Sequence, residues 1–257
     1  MNIIVCIKRV PQTADAEVKV DSSGKDIERQ RLSFDMNEAD MYALEEAVIF
    51  KEKFGGEVTA ISVGDADTDE TLRIALAKGA DSAIRIKAEE FGELDGYKTA
   101  QLLAQLIKQL SYDVVFSGCM ATDDAYMQVG VTLAELLGVP HATLVTKIEA
   151  EEGKADVHRE LEGGLLEHLQ IDLPAVISVQ TGINVPRYAS LIAIRRAASK
   201  EIRTVGKEEL GDAEFAVNSE IEELFTPPVT KRAEIIEGDP EEVSTRIATI
   251  IKEKGLI

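Results

Sequence analysis

The sequence predicts an α/β fold: a doubly wound, mostly parallel sheet with an antiparallel extension and a C-terminal arm. Three observations lead there. Over the first two thirds, short β-branched runs alternate with stretches of helical periodicity at βαβ spacing. After Pro140 the strands are separated by turn residues instead of helices. Between residues 206 and 240 apolar periodicity fades, as in a segment that packs on something else.

Each element follows from local chemistry. Ile3-Ile4-Val5-Cys6-Ile7 is an apolar first strand. Asp21-Ser22-Ser23-Gly24 signals a turn joining 17–20 to 27–32 in a small hairpin. Residues 37–53 form a helix, with Tyr42, Leu44, Ala47, Val48 and Phe50 as its apolar positions. Asn37 stands where a cap is favoured, and Gly55-Gly56 ends the helix. A strand over 58–63 and a helix over 68–78 follow, with Thr68 and Thr71 as caps and Gly79 as the stop. Residues 83–86 are a strand, 97–110 a helix and 114–117 a strand. A helix over 123–137, opened by Asp123 and stopped by Gly138, closes the alternating part. Residues 142–148, 155–160 and 167–171 are antiparallel strands turning at Glu151-Glu152-Gly153-Lys154 and at Gly163-Gly164. Residues 175–180 are an apolar strand, 189–198 a short helix, and 240–254 the last helix. The division expected is 1–205 for the α/β domain and 206–257 for the arm.

At 257 residues, 45% hydrophobic, the chain can bury a full core. Its 47 acidic and 28 basic residues give a net charge of −19, which argues against nucleic acid and against an anionic membrane surface. Aromatics are 5% and Trp is absent, so a base-stacking platform is not expected either. Cys6 and Cys119 show no pairing pattern, which fits a reducing compartment. The opening apolar run is too short for a signal peptide, and a cytoplasmic location is expected.

Motifs narrow the chemistry. There is no GxGxxG, no GxxxxGK[ST], no HExxH and no GxSxG. Catalytic residues and a metal site are therefore not expected, and His141, His158 and His168 read as strand residues. In a doubly wound sheet ligands bind at the carboxyl ends of strands. Four segments lie at such ends or at a helix start: Cys6 to Val10, Met36-Asn37-Glu38, Val63-Gly64-Asp65 and Gly118 to Asp124. In the last, Asp123 and the helix holding Gln128 and Gly130 offer N–H groups to an anion, or else Asp123 is a plain cap and Gly130 a packing glycine. A second feature is the basic stretch Arg187, Arg195, Arg196, Lys200 and Arg203 in so acidic a chain. It reads equally as a solvated helix face or as a docking loop with an apolar anchor and a charged rim.

The run Val157-His158-Arg159-Glu160-Leu161-Glu162-Gly163-Gly164-Leu165-Leu166-Glu167-His168-Leu169, followed by Leu173-Pro174-Ala175-Val176-Ile177-Ser178, resembles the signature of the electron transfer flavoprotein beta-subunit family. Asn184-Val185-Pro186-Arg187-Tyr188-Ala189-Ser190-Leu191 resembles that family's partner-recognition loop. Ile7-Lys8-Arg9-Val10-Pro11, Met36-Asn37 before Ala43-Leu44-Glu45-Glu46-Ala47, and Ala75-Leu76-Ala77-Lys78-Gly79-Ala80-Asp81 match in order as well. The resemblance implies a Rossmann-like fold of the adenine-nucleotide-binding type and a heterodimer with an alpha subunit that holds most of the FAD. It implies AMP in this chain, or a second FAD in electron-bifurcating members that meet NADH. Carried over residue by residue, the nucleotide site falls on Cys6, Asn37, Val63, Asp123, Asp124, Gln128, Val129, Gly130, Val131 and Thr132. The docking loop falls on 183–198, with Pro186, Arg187, Tyr188, Leu191 and Ile194, facing acyl-CoA dehydrogenase-type flavoenzymes. Gln128-Val129-Gly130 is closer to bifurcating members, whereas the 184–188 loop is closer to simple carriers. That leaves AMP or a second FAD open, with AMP the reading adopted. A universal-stress-type nucleotide-binding module shares the architecture, but the Pro186-Arg187-Tyr188 loop and the long tail argue against it.

Overall fold

Strands that are apolar at every position need cover on both faces, and a parallel sheet between helix layers supplies it. The computed structural model of the chain describes residues 1–14, 16–151, 153–211, 215–228, 233 and 235–257; Glu152 of the predicted 151–154 turn lies outside them. Its strands are β1 (Asn2–Cys6), β2 (Arg9–Pro11), β3 (Phe34–Met36), β4 (Glu57–Gly64), β5 (Ser82–Lys87), β6 (Val114–Gly118), β7 (His141–Glu151), β8 (Lys154–Leu161), β9 (Leu165–Asp172), β10 (Ala175–Val179) and β11 (Arg203–Val205). The helices are α1 (Glu38–Phe54), α2 (Thr68–Lys78), α3 (Gly96–Ile107), α4 (Val129–Leu137), α5 (Leu191–Ser199), α6 (Lys207–Leu210) and α7 (Pro240–Glu253).

The main sheet runs β11-β5-β4-β1-β6-β10-β7-β8-β9. From β11 to β7 all neighbours are parallel, and β7-β8-β9 is an antiparallel meander. Strand alternation sorts β1 cleanly between two cores. Ile3, Val5 and Ile7 join α1 and α2 on one face, while Ile4 and Cys6 join α3 and α4 on the other. The meander shares the first core through Ala150, Ala155, Val157 and Ile171. Leu144, at φ 55, sits where β7 passes from β10 to β8 as partner.

Most elements lie where periodicity puts them, with a few differences. The 17–32 hairpin is reduced to a single bridge, Val20 to Ile27, and Arg29–Arg31 is one 3-10 turn. A small antiparallel ribbon, β2 with β3, forms around it. Edge strand β11 was too short to stand out. The helix expected from Asp123 begins only at Val129.

Part of the arm is held by its own chain. Leu210 is buried, and Phe215 meets Phe91 edge-on at 5.6 Å. Asn218 and Ser219 donate backbone N–H groups to Asp95, and Leu224 N–H donates to Gly24 O at 2.8 Å. Helix α7 buries none of its residues on the rest of the described chain.

Candidate functional site

The strand order reverses at β1. From β1 the chain adds β4, β5 and β11 on one side, and β6, β10 and β7 lie on the other. The crevice where a ligand is expected is therefore the one at the carboxyl ends of β1 and β6.

A buried carboxylate joins those two ends. Asp40, in the first turn of α1, accepts the N–H of Lys8 at 2.7 Å and the N–H of Gly118 at 2.9 Å. Burial pushes its pKa up to about 6, against the pull of these hydrogen bonds. Gly118 has to be glycine, because a Cβ there would run into Asp40 Oδ1 and the Ala39 Cβ. Cys6, at the end of β1, is buried, and its thiol is pushed up to about 12 by burial and by the Asp40 carboxylate. It is a small protonated group rather than a nucleophile. Cys119 is buried too and donates to Gln180 Oε1 at 3.3 Å.

Asn37 occupies the N-cap position of α1, yet its side chain makes no cap bond. It reaches across the crevice, donating to Met120 O at 2.9 Å and accepting the N–H of Thr122 at 3.0 Å. Its own N–H donates to Lys8 O at 2.9 Å. Lys8 Nζ then pairs with Asp123 Oδ1 and Asp124 Oδ2, both at 2.7 Å. Partial burial pulls the Lys8 pKa down, but the two carboxylates outweigh it and hold it above its usual value.

These pairs explain why Asp123 does not cap a helix. Lys8 draws the segment toward β1, and Ala125 and Met127 take left-handed φ values of 55°, which interrupt helical continuity. Non-glycine residues in that region cost on the order of 1–3 kcal/mol each, a strain that clusters at functional loops. Helix α4 instead starts after Gln128, which makes no side-chain cap bond. The first intrahelical bond is Thr132 N–H to Gln128 O at 3.0 Å. The N–H groups of Val129, Gly130 and Val131 are thus left without helical partners, and no acid lies in the first turn. That is a donor set fit for an anion.

Gly130 itself packs against the sheet. A Cβ there would overlap Ser178 Oγ and stand 2.9 Å from Ser117 Oγ, two hydroxyls that are 2.9 Å apart and hydrogen-bonded. The close neighbour that glycine admits is the sheet. Gln128 leans over Gly96 at the start of α3. Val63 lies on β4, two residues past the Cys6–Ile61 register pair, and is half-buried. Asn37, Asp123 and Asp124 therefore meet at Lys8, Cys6 lies buried at the end of β1, residues 128–132 continue from the same loop, and Val63 stands one strand away. Sequence reasoning did not single out Lys8, Asp40 or Gly118, which the fold brings together. Lys8 and Gly118 stood in quoted segments, but their partners are distant in sequence.

The second candidate surface is the 183–198 stretch. Ser190 caps α5, accepting the N–H of Ala193 at 3.2 Å. Arg73 and Lys200 tie its far end to α2 and to the Ala80 and Asp81 carbonyls. This leaves Val185, Tyr188, Leu191, Ile192 and Ile194 exposed, with Tyr188 at 97% and Leu191 at 76%. Exposed apolar side chains grouped on a firmly held support make this a candidate interaction surface. Pro186 is half-buried at its base. Arg187, expected in the charged rim, turns inward onto Glu45 and Glu52. His158 and His168 stack across β8 and β9 with centroids 3.7 Å apart. Among the described residues no group of three or more His, Cys, Asp or Glu could hold a metal, and no helix is long and apolar enough to cross a membrane.

Comparison with known proteins agrees with this architecture. The electron transfer flavoprotein domain family matches residues 25–210. The electron transfer flavoprotein subunit beta of Methylophilus methylotrophus is 37% identical over 98% of both chains. That of Bacillus subtilis (strain 168) is 33% identical over the full length of both. The caffeyl-CoA reductase-Etf complex subunit CarD of Acetobacterium woodii is 34% identical, again over both full chains. These matches leave no place for the stress-module alternative.

Proposed function

The chain belongs to the electron transfer flavoprotein family, and from that premise we propose that it is the beta subunit of a heterodimeric electron carrier. The observation carrying this reading is end-to-end similarity to beta subunits, combined with a strand-end crevice that finishes in the uncapped start of α4. The partner is an alpha subunit holding most of an FAD at the interface. The flavin supplies the electron-transfer chemistry; this chain sets distance, orientation and electrostatics.

In this reading the crevice holds AMP. The N–H groups of Val129, Gly130 and Val131 take the phosphate, with Thr132 beside them. Cys6 and Val63 line the space for base and ribose. Asn37, with Asp123 and Asp124 through Lys8, fixes the loop that leads into the phosphate donors. Leu191 is the apolar anchor of the docking loop, with Tyr188 and Ile194 beside it and Pro186 shaping the turn. Its burial in a pocket on an acyl-CoA dehydrogenase-type flavoenzyme would contribute about 1.5–3 kcal/mol, suited to a partner that binds and leaves. The arm, held by its own chain as far as residue 224, continues onto the alpha subunit through α7.

A second reading places a second FAD in the crevice of an NADH-linked bifurcating complex. Gln128-Val129-Gly130 favours it, as does full-length similarity to a subunit of a reductase-Etf complex. One experiment separates the two. The complex co-expressed with its alpha partner is denatured, and released nucleotides are quantified by chromatography and mass. One FAD and one AMP per heterodimer is expected. Two FAD without AMP would install the second reading, and no flavin would overturn both.

A further inference from the structure

Two motifs far apart in sequence, Ala43-Leu44-Glu45-Glu46-Ala47 and Asn184-Val185-Pro186-Arg187-Tyr188, meet in the fold. Glu45 and Glu52 lie seven residues apart on α1, so they share one helical face two turns apart. The Arg187 guanidinium fits between them. Its Nε donates to Glu45 Oε2 at 2.9 Å and its Nη2 to Glu45 Oε1 at 2.9 Å. Its other edge donates to Glu52, from Nη1 at 2.7 Å and Nη2 at 3.2 Å. The Arg187 backbone N–H adds a bond to Glu45 Oε2 at 3.0 Å. Three residues earlier, Asn184 Nδ2 donates to Tyr42 O and to Glu46 Oε2, both at 3.0 Å. Glu45 is 7% exposed, whereas the neighbouring Tyr188 is 97% exposed.

A charge so engaged has little left to attract a partner. Its fork matches two carboxylates at once, a geometry lysine cannot reproduce. We infer that Arg187, Glu45 and Glu52 are positioning residues: the clamp holds the 184–190 segment on α1, so that Tyr188 and Leu191 are presented outward in one orientation. Ordering the loop in advance removes an entropic cost that docking would otherwise bear. The inference rests on the docking reading of 183–198 and adds how that surface is kept in shape.

The test uses the complex with the alpha subunit and an acyl-CoA dehydrogenase-type donor. Arg187→Lys, Arg187→Gln and Glu45→Gln are compared with Leu191→Ala. Amide hydrogen exchange over 184–190 and the KM and kcat for electron transfer are measured at two ionic strengths. A clamp predicts that all three clamp variants speed exchange. It also predicts that they raise KM about tenfold, near the loss of one charge-assisted hydrogen bond, with kcat and salt dependence unchanged. Lysine would not rescue. Steering would give the reverse: rescue by Arg187→Lys, a lower KM for Glu45→Gln and a shallower salt dependence for Arg187→Gln. That pattern, or unaltered exchange in Glu45→Gln, overturns the inference. If Leu191→Ala leaves transfer intact, the docking reading itself fails, while exchange still reports on the clamp.

Discussion

Asp40 is where one side chain decides most. It stands in a helix otherwise read for its apolar stripe, and only the fold shows it bridging the ends of β1 and β6. Two N–H donors make the ionised form useful, yet burial still raises its pKa to about 6 from a usual value of 3.8. The sign follows from proton linkage. Between those two values the native state holds a proton that the unfolded state has released, so stability falls as pH rises through the interval and levels off above about 6. The size is about 3 kcal/mol, taking roughly 1.4 kcal/mol for each pH unit. Asp40→Asn should remove this component. The difference in unfolding midpoint between native complex and variant, followed from pH 4 to 7.5, should slope steadily and flatten near neutrality. A constant difference would show that Asp40 is ionised throughout.

Helix α4 shows what a sequence can and cannot tell about an element. Its stop at Gly138 is legible, because a glycine at φ 69° ends it where periodicity says. Its start is not. Asp123 has the chemistry of a cap, but a lysine more than a hundred residues earlier claims its carboxylate, and local spacing carries no trace of that. Asn37 misleads in the same way: the right residue at the cap position spends its side chain on a distant loop. Both misreadings fall at the crevice, where long-range polar contacts override local preference. Gly130 was legible as either a packing or a ligand-approach glycine, and the sheet hydroxyls now give it the first role. Gly130→Ala should therefore destabilise by about 1–3 kcal/mol through overpacking. Ser178→Ala added to it should recover part of the loss, since it removes the atom nearest the new methyl. Denaturant titration of the two variants checks this; full stability in Gly130→Ala would mean that α4 stands further from β10 than described.

At the scale of the molecule, α1 carries both candidate surfaces. Its first turn, through Asn37 and Asp40, shapes the crevice, and its middle and last turns, through Glu45 and Glu52, hold the docking segment. The parallel body was readable because apolar runs covered on both faces leave a strong signal. The fate of the arm was not, since Phe215, Asn218 and Ser219 reach Phe91 and Asp95 through a few isolated contacts without periodicity. Helix α7 differs from the rest of the arm. Asp239 caps it and Pro240 opens it, so its start is well specified. Val243, Ile247, Ile250 and Ile251 nevertheless line one stripe that nothing in the described chain buries. An element with sound ends and no support of its own adds little to the fold it is attached to. Ending the chain at residue 238 should shift the unfolding midpoint of this subunit by less than about 2 °C, the response to under ~1 kcal/mol in a domain of this size. The same truncation should weaken association with the alpha subunit by tenfold or more, about 1.4 kcal/mol per factor of ten. Sedimentation of the truncated and full-length complexes over a dilution series measures it. Equal dissociation constants would release α7 from the interface and leave its apolar stripe to another partner.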